Sequence, residues 1–329
     1  MSAVLMFDNA RPYQSLLVPK EMGSPKETQL AGSAWDNLCE LAGRVCYDSL
    51  GKGRSSVEYH EHIRETSNRS VYEHATFTIG IPPSVPPEIF LNRPSLWVYI
   101  DPETRFWRLT LNLRHVLEWS QWGMLNEQYL TDQINQVGHF LAPLAVPHSS
   151  SMRDIEPLQV LPPKSPEERW LTFFITGVSR GLSHELVRHG DYTAISQRST
   201  RYCDESQSPW YWHPLLTDGW VNRQNERQFL STKVQSLLDT AQSKCQEAYQ
   251  QVVQEMIASG VELKPARGAA RGVLGNALGT ELIFSASLAQ WWRIVGLRNH
   301  PKADDEIRIM AEVIERQLPN YSHVQGKLI

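Results

Sequence analysis

The stretch Glu185 to Tyr202, ELVRHGDYTAISQRSTRY, concentrates side chains able to do chemistry. Arg188 and His189 lead into a Gly-Asp turn, followed by the donors Thr193, Ser196, Gln197, Ser199, Thr200, Arg201 and Tyr202. Two arginines flanking a hydroxyl-rich loop suit an anionic, oxygen-rich ligand such as a nucleotide, because charge-assisted hydrogen bonds to phosphate are the strong ones. An ordinary polar loop has the same composition, so composition alone does not choose between them. His184 to His189 also approaches the HExxH pattern of zinc proteases, but its histidines stand at i and i+5. On a helix that turns the second ring about 140° from the first. One metal is not reached by both, and zinc hydrolysis at this site is not expected. His60, His62 and His74 are a second possible metal set. Their simpler reading is two solvated histidines on a helix and one buried, hydrogen-bonded ring.

Other chemical signatures fail. GKGRSS at 51–56 is glycine-rich but lacks the spacing of a phosphate loop, and no apolar helix follows it as in a dinucleotide fold. There is no G-x-S-x-G elbow. Ser199 has no His or Asp at a convincing distance to act as its base, so binding is its better role.

The elements that must position these groups follow from periodicity. Apolar residues at 35, 38, 41, 42 and 45 predict a helix with Ser33 as N-cap. Val57 to Glu65 reads as a short polar helix, and His74 to Ile81 as a strand ended by Pro82-Pro83 and Pro86-Pro87. LWVYI and FWRLTLN, within 95–112, read as two strands joined at Asp101-Pro102-Glu103, and Leu113 to Trp122 as a helix. Residues 1–32 and the Pro-rich stretch 139–168 read as irregular. Trp170 to His189 reads as one long helix, and 196–222 as a functional loop region. Gln224 to Ser259 reads as a long amphipathic helix whose stripe, Leu230, Val234, Leu237, Ala241, Cys245, Ala248, Val252 and Met256, suits a core or an oligomer interface. Residues 277–298 and 302–317 read as two closing helices. The expected class is α+β.

The chain has 329 residues and a net charge of −4, with 41% hydrophobic and 21% charged residues. That excludes a disordered chain and a strongly basic nucleic-acid binder. Arginine outnumbers lysine 23 to 9, which suits anion pockets but equally reflects codon usage. Cys39, Cys46, Cys203 and Cys245 form no CxxC pair and suit a reducing compartment, so a cytoplasmic protein is expected. No signal peptide or membrane span is expected, since no apolar run approaches the roughly 18 residues a span needs.

Four separated blocks, together about half the chain, resemble the flavin-dependent thymidylate synthase family (thymidylate synthase-complementing proteins), in the family's order. LAGRVCY at 41–47 resembles its first helix, and Ser70 to Phe77, SVYEHATF, its "EHatF" strand entry. Ser179-Arg180 through Tyr202, with SxRY after an RH turn, resembles the central motif. Arg271-Gly272-Val273-Leu274, Leu297-Arg298 and Glu306-Ile307 resemble the C-terminal block. Three departures stand out. Gly190 replaces the third residue of the family's Arg-His-Arg, with eight residues rather than seven before Ser199. Gly275 replaces a Pro, and Asp304 or Asp305 replaces a Gln. Residues 82–169 are an insertion relative to compact members.

The resemblance implies one domain over 1–329 and FAD-dependent reductive C5-methylation of dUMP to dTMP, with NADPH and methylenetetrahydrofolate as co-substrates. It implies a homotetramer with shared active sites. By position, Arg188, Ser199, Thr200, Arg201, Arg271 and Arg298 would bind the pyrimidine nucleotide. Arg298 would stabilise charge gathered on the uracil ring, with Arg201 and Arg271 toward the phosphate. Ser70, Glu73, His189, Ser196 and Gln197 would line the flavin, and Ser287, Arg293 and Lys302 stand where the family has further flavin contacts. Cys203 beside the motif lacks the Pro-Cys context of the thiol-dependent synthases and reads as structural. Alternatives are a C5-methylase of another uracil nucleotide such as UMP, a non-catalytic flavin- or nucleotide-binding regulator, and a metal hydrolase using His60, His62 and His184.

Overall fold

Two four-stranded antiparallel sheets stack on either side of one helix, in a computed structural model describing residues 1–10, 16, 18–19, 30, 32–66, 69–83, 95–121, 159–190 and 193–320. The strands are β1 (Ser2–Asp8), β2 (Thr76–Ile81), β3 (Trp97–Ile100), β4 (Trp107–Asn112), β5 (Gln159–Leu161), β6 (Trp170–Ser179), β7 (Thr193–Gln197), the short pair β8 (Trp220–Val221) and β9 (Arg227–Gln228), and β10 (Gly279–Ser287). The helices are α1 (Ala34–Tyr47), α2 (Ser56–Glu65), α3 (Leu113–Gln121), α4 (Arg180–Leu186), α5 (Pro214–Thr217), α6 (Thr232–Ala258), α7 (Leu263–Ala270), α8 (Leu288–Arg298) and α9 (Asp305–Glu315). The first sheet has the order β1-β6-β10-β7 and the second β3-β4-β2-β5. The expected α+β class holds.

Alternation along β6 and β10 divides the interior. Leu171, Phe173 and Ile175 of β6 and Leu282, Phe284 and Ala286 of β10 pack against Leu182, Trp291, Ile294, Ile307 and Met310 of α4, α8 and α9. Phe174 and Ile283 face the other way, onto Leu38, Leu41 and Ala42 of α1 and Phe77, Ile79, Leu109 and Leu111 of the second sheet. The first sheet is therefore covered on both faces. That is why β6 reads WLTFFITGVS, a mostly apolar run without period-two alternation. The helix expected over Trp170 to His189 is thus a strand followed by the short α4. The same cause turns the first half of the expected helix 277–298 into β10.

Two further corrections apply. The lead-in expected to be irregular contains β1, an edge strand paired antiparallel with β6. The long helix starts at Thr232, not Gln224, because Asn222 and Asn225 close the β8–β9 turn and Ser231 caps Val234 N–H. The helices at Ser33 and Ser56, the hairpin of β3 and β4, and the helices after Leu113 and Ala303 lie where expected. Pro86-Pro87, Trp122, Asp191 and most of the Pro-rich stretch lie outside the described residues.

Buried polar groups lock these layers. Arg108 and Glu168, both almost fully buried, form a two-pronged ion pair at 2.7 and 2.8 Å that ties β4 to the approach of β6. Arg44, paired with Glu40 at 2.8 Å, donates to the carbonyls of Ser49, Lys52 and Arg54. The glycine-rich loop is thus wrapped around an arginine of α1. His60 is buried, not solvated as expected, and packs beside Glu40 and Tyr72.

His74 bolts the two sheets together. It sits just before β2, and its Nδ1 lies 2.7 Å from Ser285 Oγ of β10 and its Nε2 3.0 Å from Ser196 Oγ of β7. Ser285 Oγ also meets Thr172 Oγ1 of β6 at 2.7 Å. Burial pulls the imidazole from its ordinary pKa of 6.5 down to about 3. Between those values the unfolded chain binds the extra proton, so this contribution is complete above pH 6.5 and is lost as pH falls toward about 3. His74→Gln should lower stability at pH 7.5 by about 1–3 kcal/mol, through the stranded hydroxyls. It should also lose less further stability than wild type between pH 6.5 and 5. Urea midpoints at both pH values measure this, and parallel losses in the two proteins would contradict a neutral buried His74.

Candidate functional site

The loop after β7 is set by the end of α1. Cys46 carbonyl accepts Ser199 N–H at 2.8 Å, and Ser199 carbonyl accepts the N–H of Tyr202 at 3.1 Å and of Cys203 at 2.9 Å. Tyr47 and Tyr202 meet edge to face, 4.7 Å between centroids. The tight turn presents Ser199, Thr200 and Arg201. Against it pack α7 and the following turn Arg271–Val273. Arg271 Nη1 lies 3.4 Å from Thr200 Oγ1, Arg267 donates to Tyr202 carbonyl, and Gly268 leaves room beside the Arg201 stem. Arg180 reaches Arg198 carbonyl at 3.4 Å, and its pKa is lowered first by burial and further by Arg271.

Arg180, Arg201, Arg267 and Arg271 thus surround the Ser199–Tyr202 turn. Arg267 has Asp204 at 3.6 Å. Among the described residues, none of Arg180, Arg201 and Arg271 forms an ion pair within 4 Å, whereas Arg198 turns away to Asp48 and Glu205, each at 3.5 Å. Such a group of cations is a site for a dianion. Arg180 and Arg267 were not singled out from sequence. Arg180 was legible only as part of a motif, and Arg267 stands five residues into a polar helix start with no distinguishing spacing.

A second group gathers where α4 ends and α8 ends. Arg298 Nε donates to His189 Nε2 at 2.8 Å and Nη1 donates to Glu185 Oε2 at 2.9 Å. Gln290 donates to His189 carbonyl at 3.2 Å. Burial, then Arg298, Arg293 and Arg188, pull the His189 pKa down. The ring must be neutral to accept from Arg298, and the surrounding cations keep it so. Arg188 and Arg293 are exposed.

The structure brings together Arg188, His189, Arg293 and Arg298 in this group, and Ser199, Thr200, Arg201 and Arg271 in the first. The remaining expected residues are placed differently. Ser196 serves His74, and Gln197 donates to Ser183 Oγ at 2.8 Å and Thr280 Oγ1 at 3.1 Å. Ser287 caps α8 at Gln290 N–H. Glu73 pairs with Arg114 of the 82–169 stretch. Burial raises the Glu73 pKa and Arg114 opposes that shift. Ser70 and Lys302 are exposed. Glu306 is buried and accepts Ser179 N–H at 2.7 Å and Ser179 Oγ–H at 2.6 Å, fixing the junction of β6 and α4. Gly275 lies 3.2 Å, measured from a built Cβ, from the ring of Trp210, so this chain keeps the position small to seat a tryptophan. Gly190 has φ −68°, which any residue adopts, so the backbone does not forbid a basic side chain there.

Two cavities flank these groups. One of about 450 Å³ is lined by Ser179, Glu185, Trp210, Trp212, Asn276 and Glu306, among others. One of about 320 Å³ is lined by Thr176, Arg198, Asp204, Tyr211 and Glu281, among others. Neither is lined by Arg201, Arg271 or Arg298; Arg201 and Arg271 are exposed and Arg298 is half-buried. No group of three or more His, Cys, Asp or Glu side chains able to hold a metal ion occurs among the described residues.

Sequence comparison places these two arginine groups in one context. Residues 166–320 match the model of the family described as thymidylate synthase complementing protein. A flavin-dependent thymidylate synthase of Mycobacteroides abscessus is 32% identical over 154 residues, covering 45% of this chain and 56% of that protein. Its namesake in Mycobacterium avium is 30% identical over 159 residues, covering 46% and 58%. The chain thus spans little more than half the length of the curated relatives it matches. A thymidylate synthase X structure from Helicobacter pylori with FAD and dUMP gives a TM-score of 0.33 at 21% identity, covering 46% of this chain and 69% of that one. The family resembled by the motifs is the one whose model matches 166–320, and the blocks at 41–47 and 70–77 precede that stretch.

Cys203 is buried, its Sγ 3.7 Å from Cys46 carbonyl, and burial raises its pKa. The thiolate, not the thiol, is the nucleophile. Alkylation of native Cys203 by iodoacetamide at pH 8 should run at least about 100-fold slower than that of free cysteine and become fast only in denaturant. Peptide mass mapping measures this, and rapid native labelling would contradict the structural role.

Proposed function

We propose that the chain methylates C5 of dUMP to give dTMP, using methylenetetrahydrofolate as carbon donor, FAD as cofactor and NADPH as reductant. The observation that carries this reading is the convergence of Arg180, Arg201 and Arg271 on the Ser199–Thr200 turn, within a stretch that matches the family's model. Its relatives' names support the reaction.

Nucleotide binding comes first. The phosphate dianion is held by Arg201 and Arg271, with the Ser199 and Thr200 hydroxyls as further donors. Uracil C5 is a poor nucleophile, so electron density must be gathered on the ring and its oxygens while the carbon bond forms. Arg298, held at Nε by His189, presents a fixed guanidinium to that charge, and fixed donors cost no reorganisation as charge develops. Cys203, the thiol beside the turn, is buried and leaves the ring unattacked at C6.

The residues present fit a flavin nucleotide in part. Arg188 and Arg293 beside a neutral His189 suit its diphosphate, and Ser70 is an exposed hydroxyl near Glu73. Ser196, Gln197 and Ser287 are engaged within the chain and shape the floor of such a site. The bound flavin supplies the hydride chemistry of the reaction.

One domain over 1–329, assembled as a homotetramer, completes the proposal. Of the 27 residues of α6 only Tyr249 is buried, while Val234 and Leu237 are 39% and 58% exposed. The expected stripe is therefore not core in this chain, which leaves the interface reading. Residues 82–169 supply β3, β4 and β5, the strands that complete the second sheet around β2. A cytoplasmic location fits the four free cysteines. Among the described residues, no helix is long and apolar enough to cross a membrane.

Arg201→Ala and Arg298→Ala should each lower tritium release from C5-labelled dUMP at least about 100-fold while leaving the circular dichroism spectrum unchanged. Wild-type turnover in either would contradict the assignment. A rival substrate is UMP, and side-by-side turnover of dUMP and UMP decides between them.

A further inference from the structure

The cavity of about 450 Å³ beside α4 has the opposite electrostatic sign from the two arginine groups. Trp210, Tyr211 and Trp212 line it, and the two tryptophan rings stand 5.5 Å apart, tilted by 51°. Its acidic lining residues are Glu185, Asp304 and Glu306, and among the described residues no lysine or arginine lines it. Arg298 answers Glu185. The other two carboxylates are held by uncharged donors. Glu306 accepts Ser179 N–H and O–H. Asp304 Oδ1 accepts Glu306 N–H at 3.0 Å, and its Oδ2 meets His213 Nε2 at 3.0 Å. His213 Nδ1 accepts Leu215 N–H at 3.2 Å, so the ring carries its hydrogen on Nε2 and is neutral. Among the described residues, neither carboxylate has a lysine or arginine within 4 Å. Trp210 is placed for this wall rather than for the fold's own hydrogen bonds. Its backbone pairs with Leu278, and Gly275 leaves room for its ring. Its indole N–H is buried and, among the described residues, meets no acceptor, which a fold tolerates rarely.

Aromatic faces and unanswered carboxylates together suit a planar cation, because the ring face carries the negative side of its quadrupole. An anion has nothing to meet there. The proposed reaction generates one such cation. When the reductant gives up its hydride to the flavin, which also takes a proton from solvent, the neutral dihydropyridine ring becomes a pyridinium. We infer that this cavity binds the nicotinamide ring of NADPH and of its product NADP⁺, held by the faces of Trp210 and Trp212 and by the charge of Asp304. This rests on the dUMP-methylation reading above. Fixed carboxylates favour the pyridinium as its charge develops, at no cost of reorganisation. Glu185 belongs both to the cavity wall and to the ion pair with Arg298, so the cavity adjoins the place assigned to the uracil ring.

The test is titration calorimetry of NADP⁺ and of its uncharged, unreactive analogue 1,4,5,6-tetrahydro-NADP on the purified flavin-loaded protein. Wild type should bind NADP⁺ at least about 10-fold more tightly than the analogue. In Asp304→Asn, which keeps the cap of α9 and loses the charge, the two should bind within about 3-fold of each other. Trp212→Leu removes an aromatic face instead, and should weaken NADP⁺ binding at least about 10-fold. The response of the flavin spectrum to dUMP reports that each variant is folded, and if one variant loses it the other decides. Equal affinities in wild type, no binding of NADP⁺, or an unchanged preference in a folded variant would overturn the inference while the dUMP response persists. A wild-type flavin spectrum indifferent to dUMP would instead overturn the parent reading, and this assignment with it.

Discussion

A neutral imidazole buried between two sheets sets the geometry of everything around the candidate site. His74 precedes β2, and its two nitrogens meet hydroxyls on β7 and β10. β7 leads directly into the Ser199–Tyr202 turn, and β10 leads directly into α8, which ends at Arg298. One ring therefore fixes the relative height of the strands that deliver the two arginine groups. The ring is uncharged there because the site excludes water and burial disfavours the imidazolium. The Ser-His-Ser-Thr chain is fully satisfied, and such a polar network specifies one arrangement of the layers where an apolar contact would tolerate sliding.

Electrostatics then runs against the fold at the surface. Arg180, Arg201 and Arg271 crowd one turn, and Arg188, Arg293 and Arg298 crowd one histidine. Like charges at this density destabilise the free chain, and an anionic ligand relieves them. The chain tempers the second group with Glu185 and leaves the first without a carboxylate on Arg201 or Arg271. The difference matches the proposed division of labour, with a dianion on one side and a neutral, polar base on the other. Arg201 and Arg271 lie on open surface rather than in a closed cavity.

Much of this was legible in the sequence where a local rule suffices. Ser33 starts α1 as a full capping box, and the β3–β4 hairpin follows from its aromatic strands and Asp-Pro turn. The motif stretch 185–202 carried the Ser199–Tyr202 turn in one piece. What failed was the central sheet. β6 and β10 are buried on both faces, so they lose the alternation that announces a strand and read as helix. The internal partners of Ser196, Gln197 and Ser287 were not legible for a related reason. A motif position shows that a polar side chain is needed there, not whether it faces a ligand, a buried histidine or a helix N-terminus. Glu306 and Arg44 show the same limit, since each holds backbone rather than substrate. Arg267 and the partner of Arg298 required the tertiary fold.

The central claim is that guanidinium groups on two separate elements present a pyrimidine nucleotide to a flavin. The visible absorption spectrum of the purified protein, recorded before and after adding dUMP, tests it most directly. A flavin band that shifts or loses fluorescence on saturable addition of dUMP is the predicted result. A protein that stays colourless after incubation with FAD, or a flavin spectrum indifferent to dUMP, would contradict it.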